Sequence, residues 1–237
     1  MFINTKTRTT APEIMDDFSM KGEELRHSLD EIASINRFLG GNNVTLIGVK
    51  KLLSRFPKTE TIVVVDLGCG NGDMLRMLAE FGSHHGWDFK LIGVDANEFT
   101  VGYARQLSQL YPNISYIRED IFDASFEALQ YDIALCTLTL HHFDDSQLMH
   151  LLQIIKNKAS IGIVINDLHR SALAYRLFQI VSFVFRLEAM SKSDGLVSIL
   201  RGFKKVELEG FAKKLNISNY NIRWKWAFRY QWIISKI

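Results

Sequence analysis

The sequence predicts an α/β protein with a doubly wound, mostly parallel sheet, and three observations support this prediction. Five short apolar runs alternate with amphipathic segments between residues 61 and 167. A glycine-rich turn directly follows the first apolar run, and a stretch of alternating aromatic residues ends the chain. Continuous apolar strands separated by helices are typical of a parallel sheet covered on both faces. With a final antiparallel hairpin, the sheet is expected to have seven strands.

Residues 1–58 precede this alternation and are predicted to form an N-terminal helical cap. Such a cap could fold over a ligand cleft. Apolar residues recur there at steps of three and four from Leu25 to Leu39, which indicates an amphipathic helix ended by Gly40 and Gly41. A second short helix, "TLIGVKKLLSRF", leads to Pro57. Residues 59–237 are predicted to form the main domain.

The main domain begins with the run "TIVVVDL" (61–67), which we predict to be the first strand. Four more runs follow as strands at 89–96, 114–120, 131–140 and 160–167. Helices are predicted between them, and the one after the fourth strand is opened by the carboxylates of Asp144 and Asp145.

The segment after the fifth strand, "SALAYRLFQIVSFVFR", is apolar nearly all round. Such a helix is buried, lines an apolar pocket or touches a membrane surface, and we favour core or a substrate lid. From Ile222 to Ile234 every even position is apolar or aromatic, which predicts two half-exposed strands joined by a turn near Ala227. This alternation assigns the aromatic residues to the core and disfavours a platform for single-stranded nucleic acid.

Composition limits the function classes. The formal charge of +2 is too small for an electrostatic nucleic-acid binder. No apolar stretch has the length of a membrane span or of a signal peptide, while peripheral membrane contact stays open. Cys69 and Cys136 lie in apolar or glycine-rich contexts, so we do not expect a disulfide framework. We expect a cytoplasmic location.

The stretch "VVVDLGCGNGD", residues 63–73, predicts a nucleotide-like ligand, because glycine lets the backbone approach such a molecule closely. A triphosphate loop would need Lys and then Ser or Thr after its last glycine, where Asp73 stands. A dinucleotide fingerprint would also need a small residue at Asp73. The spacing instead matches D-x-G-x-G-x-G through Asp66, Gly68, Gly70 and Gly72.

This motif resembles the first motif of class I S-adenosylmethionine-dependent methyltransferases. The antiparallel hairpin at the chain end agrees with that Rossmann-like fold. The tracts "PEIMDD", "SINRFLGG", "LHHF", "NDLHRS" and "DGLVSILRGFKKVEL" resemble bacterial small-molecule methyltransferases of polyketide and pigment pathways, akin to quinone methylases. The resemblance implies S-adenosylmethionine as cofactor and O-methylation of a phenolic, carboxylic or lipid-like acceptor.

The cofactor site is expected at the carboxyl ends of the strands. Asp95 would accept the ribose hydroxyls, and the resemblance implies that Asp120 and the backbone of Ile121 receive the adenine. Thr137 would line the methyl-bearing side, and Arg37 would reach the cofactor carboxylate or a substrate anion, as Asn36 and Arg201 could. The full predicted cofactor set is Asp66, Gly68, Cys69, Gly70, Asp95, Ala96, Asp120, Ile121, Thr137 and Arg37.

Three histidines are candidates for the base that removes the acceptor proton, since an imidazole titrates near neutral pH. His141 and His142 follow the fourth strand, and we expect one to be structural and one functional, with a preference for His142. His169 belongs to a second polar cluster with Asn166, Asp167 and Arg170. No metal is expected, because the adjacent histidine pairs have no carboxylate or thiol at a helical offset.

The predicted function is S-adenosylmethionine-dependent methylation of a small acceptor, with O-methylation favoured. The chain lacks a motif such as N-P-P-Y after the fourth strand, which makes amino groups of nucleic acids or proteins unlikely acceptors. Three alternatives stay open: C-methylation of a quinol ring, a non-catalytic cofactor-binding protein, and a nicotinamide-dependent reductase. The sequence does not predict an oligomeric state.

Overall fold

The computed structural model describes residues 3–54 and 56–236, apart from the side chain of residue 127. It contains a seven-stranded sheet with the order β3-β2-β1-β4-β5-β7-β6. The first five strands are parallel, and β7 runs antiparallel to both β5 and β6. The strands are β1 (Ile62–Leu67), β2 (Phe89–Asp95), β3 (Ile114–Arg118), β4 (Ile133–Thr137), β5 (Gly162–Leu168), β6 (Tyr220–Lys225) and β7 (Arg229–Ser235). The predicted fold class is confirmed.

Nine α-helices are found in the described part of the chain. They are α1 (Glu23–Phe38), α2 (Gly41–Leu53), α3 (Asp73–His85), α4 (Glu98–Leu107), α5 (Ala124–Ala128), α6 (Asp145–Lys158), α7 (Ala172–Val184), α8 (Ala189–Arg201) and α9 (Lys205–Lys214). Short 3-10 turns at Ile14–Asp16 and Leu140–His142 matter for the site. As predicted, Asp144 opens α6, and its side chain accepts from the backbone N–H groups of Ser146 and Gln147.

Two hydrophobic layers cover the two faces of the sheet. One buries side chains of α2, α3 and α4 with β1 and β2, for example Leu52, Leu75 and Leu91. The other buries side chains of α6 and α9 with β7, including the fully buried Trp232. Because α2 contributes to the same core as the sheet, the boundary predicted at residue 58 falls inside one packed unit. Residues 1, 2, 55 and 237 of the two predicted units lie outside the described residues.

The C-terminal hairpin is present, but the burial predicted for it is wrong in two respects. Trp224 and Trp226 are exposed near the hairpin tip rather than placed in the core. Arg229 and Gln231, at odd positions, are buried. The reason is that β7 lies between β5 and β6 and is covered on both faces, so its burial does not alternate.

Most of the apolar helix α7 lies outside the core. The interpretation of this segment as a core helix is therefore wrong. Leu173, Phe183 and Val184 are exposed, whereas Leu177, Phe178 and Val181 line a cavity described below. One face of α7 therefore contributes to a ligand cavity and another faces solvent. Within the described residues, no helix has both the length and the apolar character needed to cross a membrane.

Candidate active site

A cavity of about 730 Å³ opens at the carboxyl ends of the central strands. Its size is in the range typical of small-molecule sites. The cavity brings together most of the residues predicted from the sequence. They are Asp66, Gly68, Cys69, Gly70, Asp95, Ala96, Asp120, Ile121, Thr137, His141 and His142. Arg37 and His169 are not among the residues that line it.

The glycine loop after β1 uses its own N–H groups within the protein. Gly68 and Cys69 donate to the carbonyl of Val94 at 2.9 and 3.1 Å, and Gly70 donates to Asp95 Oδ2 at 3.2 Å. Gly72 donates to the Cys69 carbonyl at 3.0 Å. These N–H groups are therefore not available to hold a phosphate, unlike those of a phosphate-binding nest. All three glycines have positive φ, which a side chain would strain.

Carboxylates surround this loop. Asp66 is 2% exposed, its Oδ1 has no hydrogen-bond partner among the described residues, and burial raises its pKa, with Asp73 and Asp95 adding repulsion. Burial also raises the pKa of Asp95, against the hydrogen bonds from Asn97 and Gly70. An anionic pyrophosphate would be repelled here, whereas a bound cation would be stabilised. The loop thus suits a cationic ligand such as a sulfonium or ammonium group.

The outer cofactor candidates are placed along the neighbouring strands. Asp95 ends β2 and accepts from the N–H of Asn97 at 3.0 Å. Asp120, beyond the end of β3, accepts from the N–H of Phe122 at 3.0 Å, as a turn residue does, and still lines the cavity. Thr137 ends β4, where its hydroxyl lies 2.9 Å from that of Thr45 in α2.

His141 and His142 each form a pair with a carboxylate. His141 Nδ1 lies 2.7 Å from Asp167 Oδ1, and both side chains are almost fully buried. His142 Nδ1 lies 2.7 Å from Asp16 Oδ1, and the imidazole is 29% exposed. Burial raises the pKa of Asp16, but its hydrogen bonds with His142 and Arg201 lower it more, so that carboxylate stays ionised. The proton on His142 is thereby fixed at Nδ1, which leaves Nε2 as a lone-pair base.

Glu13 lies between the two imidazoles. Its Oε1 is 3.6 Å from His141 Nε2, and its Oε2 is 3.9 Å from His142 Nε2. Ser198 donates to Oε2 at 2.7 Å, whereas Oε1 has no hydrogen-bond partner among the residues described. Burial raises the pKa of Glu13 to about 7, against the lowering by His142, Ser198 and Arg201. Glu13 can therefore exchange a proton near neutral pH.

We expect Glu13 to make the stability of the protein depend on pH. Its pKa is raised on folding, so its contribution is full below about pH 4.5 and is lost as the pH rises through about 7. Between about pH 5 and pH 8, the melting temperature of the wild type should fall relative to that of Glu13→Gln. Thermal unfolding measured by circular dichroism checks this, with Glu24→Gln on exposed α1 surface as control. Parallel pH profiles for wild type and Glu13→Gln would contradict it.

The same three residues offer ligand atoms that all lie within 4.8 Å of one another, so Glu13, His141 and His142 could hold a metal ion by spacing. Arg201 opposes this, because its Nη1 lies 3.6 Å from Glu13 Oε1 and would repel a cation. The absence of a metal requirement stays a prediction. Helical offsets could not indicate this group of ligand atoms, since Glu13 reaches the histidines from a distant part of the chain.

Three residues predicted as ligands or bases lie elsewhere or have structural partners. Arg37 is exposed on α1 and does not line the cavity, so it is a poor candidate for the cofactor carboxylate. His169 is packed in the hairpin, where its Nδ1 accepts from Trp224 Nε1 at 3.3 Å and its ring contacts that of Tyr230. Arg201 donates to Asp16 at 2.6 Å and to the His141 carbonyl at 3.1 Å.

Sequence reasoning missed Glu13 and Asp16. Both come from the N-terminal segment, which is held in place by Asp194 of α8. The two carboxylate oxygens of Asp194 accept from the N–H groups of Ile14 and Met15 at 2.8 and 3.0 Å. The acidic tract "PEIMDD" was quoted only as part of a resemblance, and no local periodicity points to its role.

Comparisons with known proteins agree with this geometry. A family described as "Methyltransferase domain" matches residues 64–162. A curated relative from Trichormus variabilis, named 2-phytyl-1,4-naphtoquinone methyltransferase, is 31% identical over 122 residues, which cover 48% of this chain and 51% of the relative. A Nostoc protein of the same name matches to the same extent. The chain spans about half the length of the curated relatives it matches.

Solved structures match over much more of the chain. The plantazolicin methyltransferase BpumL in complex with SAH has a TM-score of 0.65 at 18% identity and covers 90% of both chains. The magnesium protoporphyrin IX methyltransferase of Synechocystis PCC 6803 with bound SAH has a TM-score of 0.53 at 18% identity, covering 84% of this chain and 82% of that one. At these identities the likeness shows the fold. Residues 64–162 thus match the methyltransferase domain family, and the described part of the chain has the class I methyltransferase fold.

Proposed function

We propose that this protein transfers a methyl group from S-adenosylmethionine to an oxygen of a small apolar acceptor, for which an aromatic phenol or acid is the favoured class. The observation that carries the proposal is the single cavity shared by a glycine loop suited to a cation and an imidazole–carboxylate cluster. The SAH-bound structural relatives support the same cofactor.

The cofactor fits the loop by charge. S-adenosylmethionine carries a sulfonium and an ammonium group, and the unpartnered Oδ1 of Asp66 could accept from the ammonium. Asp95 and Asp120 have carboxylate oxygens that could accept from the ribose hydroxyls and the adenine amino group, as the sequence predicted. When bound, the cofactor supplies an activated methyl group for an in-line displacement.

The acceptor end has the base that such a displacement needs. His142 lines the cavity and its Nδ1 is engaged by Asp16, so its Nε2 would be the atom that takes the proton of a phenol or acid as the oxygen attacks. The resulting imidazolium is stabilised by Asp16 and by Glu13, whose Oε2 is 3.9 Å away. Apolar side chains of α7, among them Leu177 and Phe178, would hold the body of the acceptor.

Calorimetric titration with S-adenosylhomocysteine beside NADH tests the cofactor. We expect micromolar binding of S-adenosylhomocysteine alone. Naphthols, hydroxynaphthoates, alkylphenols and reduced naphthoquinones should then be screened with S-adenosylmethionine, with EDTA present in a parallel series that should show unchanged activity. Binding of NADH would support the reductase alternative, and cofactor binding without turnover of any acceptor would support a non-catalytic binding protein.

C-methylation of a quinol ring is the second candidate, and the name of the curated relatives favours it. It needs the same base and differs only in which atom of the acceptor faces the methyl group. Carbon NMR of a product made with a ¹³C-labelled methyl donor separates the two, because a methoxyl carbon and a ring methyl carbon have different chemical shifts.

A further inference from the structure

Arg229 begins β7, and its register partner is Leu168 at the carboxyl end of β5. The side chain is 4% exposed and lines the cavity. Its Nε and Nη1 atoms are buried and have no hydrogen-bond partner among the described residues. Burial lowers its pKa to about 10, against an attraction to Asp167. Burying a guanidinium without hydrogen-bond partners costs folding free energy, because a buried charge normally requires a partner.

Asp167 makes no hydrogen bond to the Nε or Nη1 of Arg229, and its oxygens already accept from other donors. Oδ1 accepts from His141 Nδ1 and from the N–H of Leu168, both at 2.7 Å, and Oδ2 accepts from the N–H of His141 at 3.3 Å. The attraction between Asp167 and Arg229 is therefore only long-range.

Two other buried arginines show how this chain satisfies a structural guanidinium. Arg170 donates to the carbonyls of Thr5, Lys6 and Gly202 and pairs with Glu207 at 2.6 Å. Arg201 pairs with Asp16 and donates to two carbonyls. Arg229 differs from both, since its Nε and Nη1 have no partner in the described part of the chain and it lines the cavity.

Asn36 of α1 lies beside Arg229. A Cβ added to Gly41 would be 2.9 Å from Arg229 Cζ and would overlap Asn36 Oδ1, which places both polar groups against the same glycine. Asn36 donates to Asn42 through its amide nitrogen, while its Oδ1 is buried and has no partner among the residues described. Donors from Arg229 and an acceptor from Asn36 therefore lie close together at one place in the cavity lining.

We propose that Arg229 binds a carboxylate of a ligand held in this cavity. The inference rests on the proposed function and extends it, because two ligands there could supply a carboxylate: the acceptor, or the amino-acid end of the cofactor. The acceptor is the better source by position. Sheet order places β4 and β5 between β1 and β7, so the backbone of Arg229 lies about 14 Å across the sheet from that of β1, at a spacing of about 4.8 Å per strand.

Arg229→Met tests the proposal, with Arg223→Met on the exposed face of the neighbouring strand as matched control. The probes are S-adenosylhomocysteine, 5′-methylthioadenosine, which lacks the amino-acid end, and 2-naphthoate with its methyl ester, the last two titrated at saturating S-adenosylhomocysteine. We expect Arg229→Met to melt no lower than wild type, because it removes an unpaired buried charge. Its affinity for 2-naphthoate should fall about 10- to 100-fold, and Arg229→Lys should recover part of it. Affinity for the ester and for S-adenosylhomocysteine should stay within about twofold.

Other results would assign the carboxylate differently or overturn the proposal. If Arg229→Met weakens S-adenosylhomocysteine but not 5′-methylthioadenosine, the carboxylate is the cofactor's, which supports the site with that source. If the variant melts well below wild type and no ligand affinity changes, Arg229 is structural and the proposal is wrong. The proposal is also wrong if the wild type binds 2-naphthoate and its methyl ester equally, or binds neither of them, and Arg229→Met keeps its affinity for S-adenosylhomocysteine. Failure of wild type to bind S-adenosylhomocysteine would instead contradict the proposed function, and the site with it.

Discussion

Replacing His142 with asparagine should lower kcat for the best acceptor of the screen by about 10²- to 10⁴-fold, the range typical of a lost general base. The reason is the arrangement of its two ring nitrogens. Nδ1 lies 2.7 Å from the ionised Asp16, Nε2 is the nitrogen left for proton transfer, and the residue lines the cavity. An asparagine amide can keep a polar contact with Asp16, but it cannot take the acceptor proton. Steady-state kinetics and S-adenosylhomocysteine titration measure the effect, and the Kd for S-adenosylhomocysteine should change by no more than about twofold.

Two histidine variants serve as comparisons. His169→Asn removes an imidazole that packs in the hairpin outside the cavity lining, so kcat should stay within about threefold of wild type. His141→Asn removes the buried imidazole that pairs with Asp167, and it should lower the melting temperature more than His142→Asn does, because the buried carboxylate would keep only backbone N–H donors. If His142→Asn retains wild-type kcat and His141→Asn does not, the assignment of the two roles is reversed.

The pH profile separates a base from a group that only positions the acceptor. In wild type, kcat should rise with pH as the base loses its proton and then level off. In His142→Asn the residual rate should increase with hydroxide up to the pKa of the acceptor itself. An acceptor with a more acidic phenol should lose less from the substitution, because its oxygen is already ionised at neutral pH. Equal losses for acidic and weakly acidic phenols would argue against proton removal by His142.

The sequence was sufficient for the sheet and for the cofactor loop because both depend on local patterns. Short apolar runs predicted β1 to β5, and the spacing of Gly68, Gly70 and Gly72 predicted the ligand class. The turn between β6 and β7 was likewise predicted near Ala227. In each case the residues that carry the pattern are close together in the chain, so their geometry follows from backbone preferences.

The base cluster could not be predicted in the same way. Glu13 reaches His141 and His142 only because Asp194 binds the N–H groups of Ile14 and Met15, and α8 supplies that aspartate. This contact joins distant parts of the chain, so no periodicity in the sequence predicts it. The burial of Arg229 has a related cause, since it depends on which strands flank β7 rather than on the alternation within it.

Replacing Asp95 with alanine should weaken S-adenosylhomocysteine binding by about 10²-fold. Asp95 ends β2, lines the cavity and is the residue proposed to accept from the ribose hydroxyls. Hydrogen bonds to a charged acceptor contribute about 1.5–3 kcal/mol each, so the loss of two of them corresponds to about 10²-fold at the lower end of that range. Asp88→Ala is the matched control, because Asp88 precedes the amino end of the same strand and Asp95 is at its carboxyl end. This substitution should leave the Kd unaffected.

Asp95 also holds the glycine loop, since its Oδ2 accepts from the N–H of Gly70 at 3.2 Å. A weaker Kd alone would therefore not separate ribose binding from a displaced loop. Titration with the 2′-deoxy analogue of S-adenosylhomocysteine makes the distinction through a double-mutant cycle. If Asp95 accepts from the 2′-hydroxyl, Asp95→Ala should cost clearly less with the deoxy analogue than with S-adenosylhomocysteine. If the cost is the same for both ligands, the carboxylate acts by positioning the loop, and the ribose hydroxyl must be bound by another group.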